Sequence, residues 1–218
     1  MANFAGHLTA SVGCGIIGAI GLHEFGHQPS ELETLAVLAA GIAGGLSPDI
    51  DLGGWKYASI PNKMAKVLSG IVTMWIVSTH YRDPVYMLYG AIGWLAAWIA
   101  IDAAMKHRGH THSWLGAACF AVFYGWVAGL IAGGQVPIYA MAAAGCSYWL
   151  HLLLDDLFSG FRAARKLTRM KPAVVSMRPF FTGGNFPELV IVLAIGAIGL
   201  HGLKSLTTFS SLLSVNFP

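Results

Sequence analysis

The chain of 218 residues is 56% hydrophobic and 11% charged, with 13 Lys and Arg against 10 Asp and Glu and a net charge of +3. A soluble domain carries about 25% charged residues, so this composition excludes an ordinary soluble enzyme and points to a chain solvated largely by lipid. Cys14, Cys119 and Cys146 all sit in apolar runs and read as small buried hydrophobes, not as a disulfide frame.

Seven apolar segments follow one another: 4–22, 32–47, 64–79, 85–105, 114–133, 138–155 and 188–203. A membrane-spanning helix needs about 20 apolar residues, with a range of about 17–25. Segments 85–105 and 114–133 meet that requirement. The second and third are short and are expected to tilt or to be buried among neighbours. The first run has no basic n-region and no small-residue cleavage site, so it is expected to stay as a helix and not to be removed as a signal peptide. Gly13, Gly15, Gly18 and Gly21, and then Gly41, Gly44 and Gly45, read as positions of close helix approach. The predicted fold is an all-α integral membrane protein: a single membrane-embedded domain over 1–218 with about seven transmembrane helices.

The loops after segments two, four and six, with Lys66 just inside segment three, hold all the Lys and Arg residues except Arg82 and Lys204. The positive-inside rule puts that basic side in the cytoplasm. The N-terminus is then cytoplasmic and the C-terminus lies on the far side. The region 156–187 is the longest polar stretch, and Arg162, Arg165, Lys166 and Arg169 fall in it at helical spacing. It reads either as a solvated cytoplasmic loop or as an interfacial helix on anionic headgroups.

The most unusual stretch is Lys106-His107-Arg108-Gly109-His110-Thr111-His112-Ser113, wedged between two strongly apolar runs. A polar cluster beside a bilayer costs free energy unless it binds something, and neutral imidazole is a common metal donor. The predicted topology brings other donors to the same face. His7 opens segment one, Asp49 and Asp51 follow segment two, and His151 and Asp155 lie in the last turns of segment six. His151 and Asp155 are four apart, which sets them on one helical stripe. Mixed His and Asp donors suit zinc, manganese or iron better than calcium or magnesium. More than four donors imply two or more divalent ions, a set able to activate water for phosphoryl displacement.

Arg108 is a fork donor suited to phosphate. Ser113 either caps segment five or meets substrate. Asp102 is placed to orient the histidine loop from behind. His23 and His27 fall on the opposite side, where a separate site is the weaker alternative to ordinary interfacial histidines. His80 and His201 read as interfacial, and Asp156 as solvated.

The set His7, Pro48-Asp49-Ile50-Asp51, His107-Arg108-Gly109-x-Thr111-His112-Ser113 and His151-x-x-x-Asp155 resembles the YdjM-like group of bacterial inner-membrane metal-dependent hydrolases. Thr182-Gly183-Gly184 followed by Glu188 resembles the stretch before that group's final apolar segment. The group is in turn distantly similar to zinc-dependent phospholipases C and single-strand nucleases. The resemblance implies a multi-pass protein of the bacterial inner membrane. Its implied metal ligands are His7, Asp49, Asp51, His107, His112, His151 and Asp155, with zinc the first choice of metal. Arg108 and Ser113 would act beside the metal or substrate, and Glu188 as a further ligand or base. Position 110 is usually apolar in the group, which weighs against His110 as a ligand. Many relatives are shorter between Asp51 and His107, and this chain inserts an apolar pair there. After Asp155 the group's Thr-Pro-x-Gly turn is replaced by Leu-Phe-Ser-Gly, so local substrate contacts do not carry over.

The leading expectation is a metal-dependent hydrolase of a phosphoester or lipid-type substrate at the cytoplasmic membrane face, with membrane lipid as its partner. A metal or proton transporter is the first alternative, although transport sites usually lie near the midplane between repeats, and no repeat is visible. A scaffold in which metal staples helix ends together is the second. Aromatic and basic residues are not interleaved as on a nucleic-acid platform, so no nucleic-acid partner is expected.

Overall fold

The computed structural model describes residues 4–25, 28–51, 60–80, 84–104, 110–133, 135–165 and 186–206. Among these lie seven α-helices: α1 (Phe4–Phe25), α2 (Glu31–Leu46), α3 (Ile60–His80), α4 (Pro84–Ala104), α5 (Trp114–Ala132), α6 (Val136–Arg165) and α7 (Phe186–Ser205). Two short 3₁₀ turns, Ser47–Asp51 and His110–His112, precede α3 and α5.

Helix ends follow from local chemistry. Ser30 and Glu33 form a reciprocal capping box at the start of α2, satisfying two donors that a helix N-terminus otherwise leaves orphaned. Ser113 caps α5, and Gly133, at φ 70°, ends it in a backbone region that glycine adopts without steric cost. Pro84 opens α4, where its missing N–H is no loss.

α1, α4, α5, α7 and the Val136–Asp155 part of α6 are long and apolar enough to cross a membrane. The expected seven spans thus become seven helices, of which five meet that standard among the described residues. α2 is 16 residues long. α3, predicted to be short, has 21 residues; Asn62, Lys63 and Lys66 near its start lower its apolarity instead.

α6 is the axis of the bundle, packed by α1, α2 and α5, with α7 laid on α5. Its small residues make this possible. Ala140, Ala143 and Ala144 join Leu22, Val37 and Ala128 in one core cluster, and Tyr148 and Leu152 join Phe120 in a second. A Cβ on Gly44 would lie 2.5 Å from the carbonyl oxygen of Ala144, and one on Gly45 would collide with the hydroxyls of Ser11 and Ser147. In lipid no hydrophobic force drives helices together, so such close backbone approach supplies the dispersion contact that does.

α3 and α4 form a hairpin that meets the rest through the first 3₁₀ turn and α7. α4 buries no residue of its own and presents Leu88, Ile92 and Ile99 outward. The hairpin is pinned by Lys66, whose Nζ lies 2.5 Å from Asp102 Oδ2 and 5.4 Å from the Trp98 ring centre. Both Trp94 and Trp98 donate their indole N–H to Ser69 Oγ, at 3.1 and 2.9 Å. Asp102, predicted to orient the histidine loop, pairs with this lysine of α3, as an intramembrane carboxylate is held by the nearest cation; residues 105–109 of that loop lie outside the described residues.

α6 corrects another expectation. Segment six was placed at 138–155, with His151 and Asp155 in its last turns, but the helix runs 30 residues to Arg165. Hydropathy marks where a helix turns polar, not where its hydrogen bonds end, and no proline interrupts 156–165. The first ten residues of the predicted basic region therefore extend α6. Lys166 and Arg169 lie outside the described residues.

Candidate metal centre

Four segments converge at one end of the bundle. On α1, His7, Ser11 and Gly15 are buried at successive intervals of four, the spacing of one helical stripe. Ser11 Oγ donates to the His7 carbonyl at 2.6 Å. The first 3₁₀ turn carries Asp49, and Asn62 of α3 fixes it by donating from Nδ2 to the Ile50 carbonyl at 2.6 Å. The second turn carries His112. α6 contributes His151 and Asp155, one turn apart and both buried.

The His7 and His151 rings stack with centroids 3.8 Å apart and planes at 17°. His112 meets His151 edge-on at 5.9 Å. His7 Nε2 lies 3.2 Å from Asp155 Oδ1, and His151 Nε2 lies 3.7 Å from Asp49 Oδ1. Two groups able to hold a metal ion result: His7, His151 and Asp155, and Asp49, His112 and His151. Within each, the donor atoms lie within 4.8 Å of one another. His151 belongs to both.

The chemistry of His151 fits a metal ligand. Its Nδ1 is 2.7 Å from the Gly45 carbonyl. A carbonyl only accepts, so Nδ1 carries the hydrogen and Nε2 keeps its lone pair. That Nε2 is buried and has no hydrogen-bond partner, and the same holds for His7 Nδ1. A backbone carbonyl behind a histidine that aims its other nitrogen at a site is the usual way to orient a metal ligand. His151 is 1% exposed and Asp49 13% by side chain, which makes Asp49 the most exposed donor of the cluster.

The other predicted site residues fall around this centre. Asp51 ends the first turn, but its side chain lies outside the described residues, as do His107 and Arg108. Ser113 is the N-cap of α5. Its Oγ accepts from Gly116 N at 3.1 Å and donates to the His110 carbonyl at 2.6 Å, the structural role weighed for it above. Glu188 joins neither donor group. It is fully buried, and its Oε1 accepts from Thr111 N at 3.1 Å and Thr111 Oγ1 at 3.4 Å. His110 is buried in the same turn and is also in neither group. His23 bonds Thr34 Oγ1 at 3.1 Å, about 24 Å along α1 from His7 at 1.5 Å per residue, and so belongs to the other end. His201 is exposed. His27 and the side chains of His80 and Asp156 lie outside the described residues.

Two contributors escaped sequence reasoning. Gly45 acts through its carbonyl, which no side-chain pattern reveals. Tyr148 donates its hydroxyl to the Thr111 carbonyl; its place three residues before His151, on the same helical face, was the available signal. Tyr148 and Glu188 together grip Thr111 and so fix His112. Glu188→Ala leaves the buried Thr111 N–H without this acceptor, and such a loss costs about 1–3 kcal/mol. The expected result is a melting temperature lower by roughly 2–12 °C in a chain of this size, with Glu188→Gln, which keeps an acceptor oxygen, close to wild type. Thermal unfolding in detergent checks it.

No curated protein and no solved structure matched the chain. The family of the YdjM inner membrane protein matches residues 1–164, which include α1 to α5, nearly all of α6 and every residue of the two donor groups. With the apolar helices described above, that match places the chain in the YdjM inner membrane protein family.

Proposed function

We propose that the protein is a membrane-bound, metal-dependent hydrolase of phosphoesters, with its donor cluster facing the cytoplasm. The observation that carries this is His151, whose buried Nε2 has no hydrogen-bond partner and which belongs to both three-residue donor groups. A divalent ion there, zinc being best suited to the His and Asp donors, would supply Lewis acidity and the power to acidify water.

The chain's own residues do the rest. His7, Asp49, His112, His151 and Asp155 would hold the ions. The Gly45 carbonyl aims His151, and Glu188 with Tyr148 fixes the turn bearing His112. α1 and α6 exclude water from the deep side, and a substrate enters at the Asp49 edge. Arg108 and His107 extend this set through the resemblance noted above: Arg108 would pair with the phosphate and His107 would add a donor.

The test is elemental analysis of detergent-purified protein, followed by assays on phosphomonoesters and phosphodiesters with and without chelator. Two zinc, manganese or iron ions per chain and chelator-sensitive hydrolysis are expected, both lost in a His112→Ala, Asp155→Ala double variant. Full activity in that variant, or a folded chain that takes up no metal on resupply, overturns the proposal. Metal without hydrolysis of any ester would instead identify a metal staple between helix ends.

A further inference from the structure

A cavity of about 340 Å³ lies beside the donor cluster, between α2, α3, the first 3₁₀ turn and α5. Its size is within the range of about 300–1,000 Å³ typical of ligand sites. The walls are aliphatic: Ala39, Ile42 and Leu46 from α2, Met64 and Leu68 from α3, and Ile50 from the turn. Tyr124, the polar side chain among the lining residues, has its hydroxyl already bonded to Ser47 Oγ at 2.8 Å. Water needs two to four polar partners to occupy such a space, so a hydrocarbon is its fitting occupant. The mouth opens on the outside of the bundle, since Met64 and Leu68 line the cavity and are also 48% and 57% exposed. From Ala39 to Leu46 the slot runs about 10 Å along α2, at 1.5 Å per residue.

One turn serves both cavity and donor cluster. Ile50 closes the slot, and Asp49, the residue before it, reaches His151. A chain lying in the slot therefore ends beside the most exposed donor. Lys63, next to Met64 and exposed in the first turn of α3, adds positive charge on that side, which favours an anionic headgroup.

We propose that this cavity takes one acyl chain of an anionic glycerophospholipid and thereby presents the headgroup phosphate to the Asp49 edge of the donor cluster. The proposal rests on the hydrolase reading for its consequence, a lipid phosphoester as substrate, but its geometry is tested separately.

The probe is phosphatidylglycerol carrying a photoreactive diazirine in the glycerol-proximal half of one acyl chain, added to the full-length protein in nanodiscs and mapped by mass spectrometry. Labelling is expected to concentrate on 39–46 and 64–68. Ala39→Phe and Ala65→Phe, which fill the slot from two different helices, should each cut it by about tenfold, the loss expected when even two methylenes are displaced. Bound metal should be unchanged in both. Labelling in wild-type protein that is spread evenly over the outward faces of α3 and α4 would overturn the proposal, and this needs no variant to fold. Equal labelling of the slot by a diacylglycerol probe lacking phosphate would overturn the assignment of the phosphate to the Asp49 edge. Slot labelling in a chain without metal would keep the lipid site and remove the hydrolase.

Discussion

His151→Ala is expected to strip the ion bound at its Nε2, whichever donor group that ion completes, whereas His7→Ala and Asp49→Ala each remove a donor from only one of the two groups. His7 belongs to the first donor group and Asp49 to the second, but His151 is common to the two. Loss of residues that merely support a metal ligand typically costs 10–100-fold in affinity, so removing His151 itself should cost at least about 100-fold for the ion it holds. Elemental analysis of the three variants in parallel checks it. Equal metal content in His151→Ala and His7→Ala would show that the groups do not share a ligand. Gly45 cannot compensate, because its carbonyl orients the imidazole and offers nothing once the ring is gone.

Gly44→Val is expected to be the most damaging substitution far from any chemistry. Its Cβ would stand 2.5 Å from the Ala144 carbonyl oxygen and 2.6 Å from the Ala144 Cα. Both are backbone atoms of α6 that no rotamer change can move, so α2 must shift away from the axis. Overpacking a well-filled contact costs about 1–3 kcal/mol and sometimes more, and a β-branched residue at a backbone-to-backbone crossing belongs at the upper end. A fall of roughly 6–12 °C in melting temperature follows for a chain of this size. Because the same shift moves the Gly45 carbonyl off His151, metal content should fall with it. Gly13→Ala is the control: a Cβ there meets nothing within 4 Å, and stability should not fall, alanine's better helix propensity adding at most about 1 kcal/mol. Thermal unfolding with metal analysis reads both.

The helices were legible because lipid solvation leaves a strong mark. Runs such as 114–133 need no tertiary information to be read as helices, and α5 occupies Trp114–Ala132. The convergence of His7, Asp49, His112, His151 and Asp155 was legible too, since a membrane topology sends alternate loops to one face and leaves few ways to separate them. The failures have physical causes. The end of α6 was missed because hydropathy does not mark where helical hydrogen bonds stop, and the partner of Asp102 and the grip of Glu188 on Thr111 depend on which neighbour lies across a helix interface. Hydropathy and loop charge are one-dimensional and carry nothing about azimuth. Lys66 was counted as a cytoplasmic charge; that it turns toward α4 and takes Asp102 is a fact of rotation about the α3 axis. The cavity beside Ile50 was likewise invisible, because a void belongs to the spaces between helices and has no residues of its own.

The length of α6 gives the donor cluster a stiff side and a yielding one. His151 and Asp155 stand ten or more residues from either end of a 30-residue helix, and fraying is confined to the terminal turns. Their amides should be among the slowest in the chain to exchange with solvent, whereas turns held by a few bonds open more readily. Asp49 and His112 both sit on such turns. Any breathing that admits a ligand is therefore a hinge motion of the two turns against a fixed rail, and deuterium uptake at 47–51 and 110–112 should run ahead of that at 147–155.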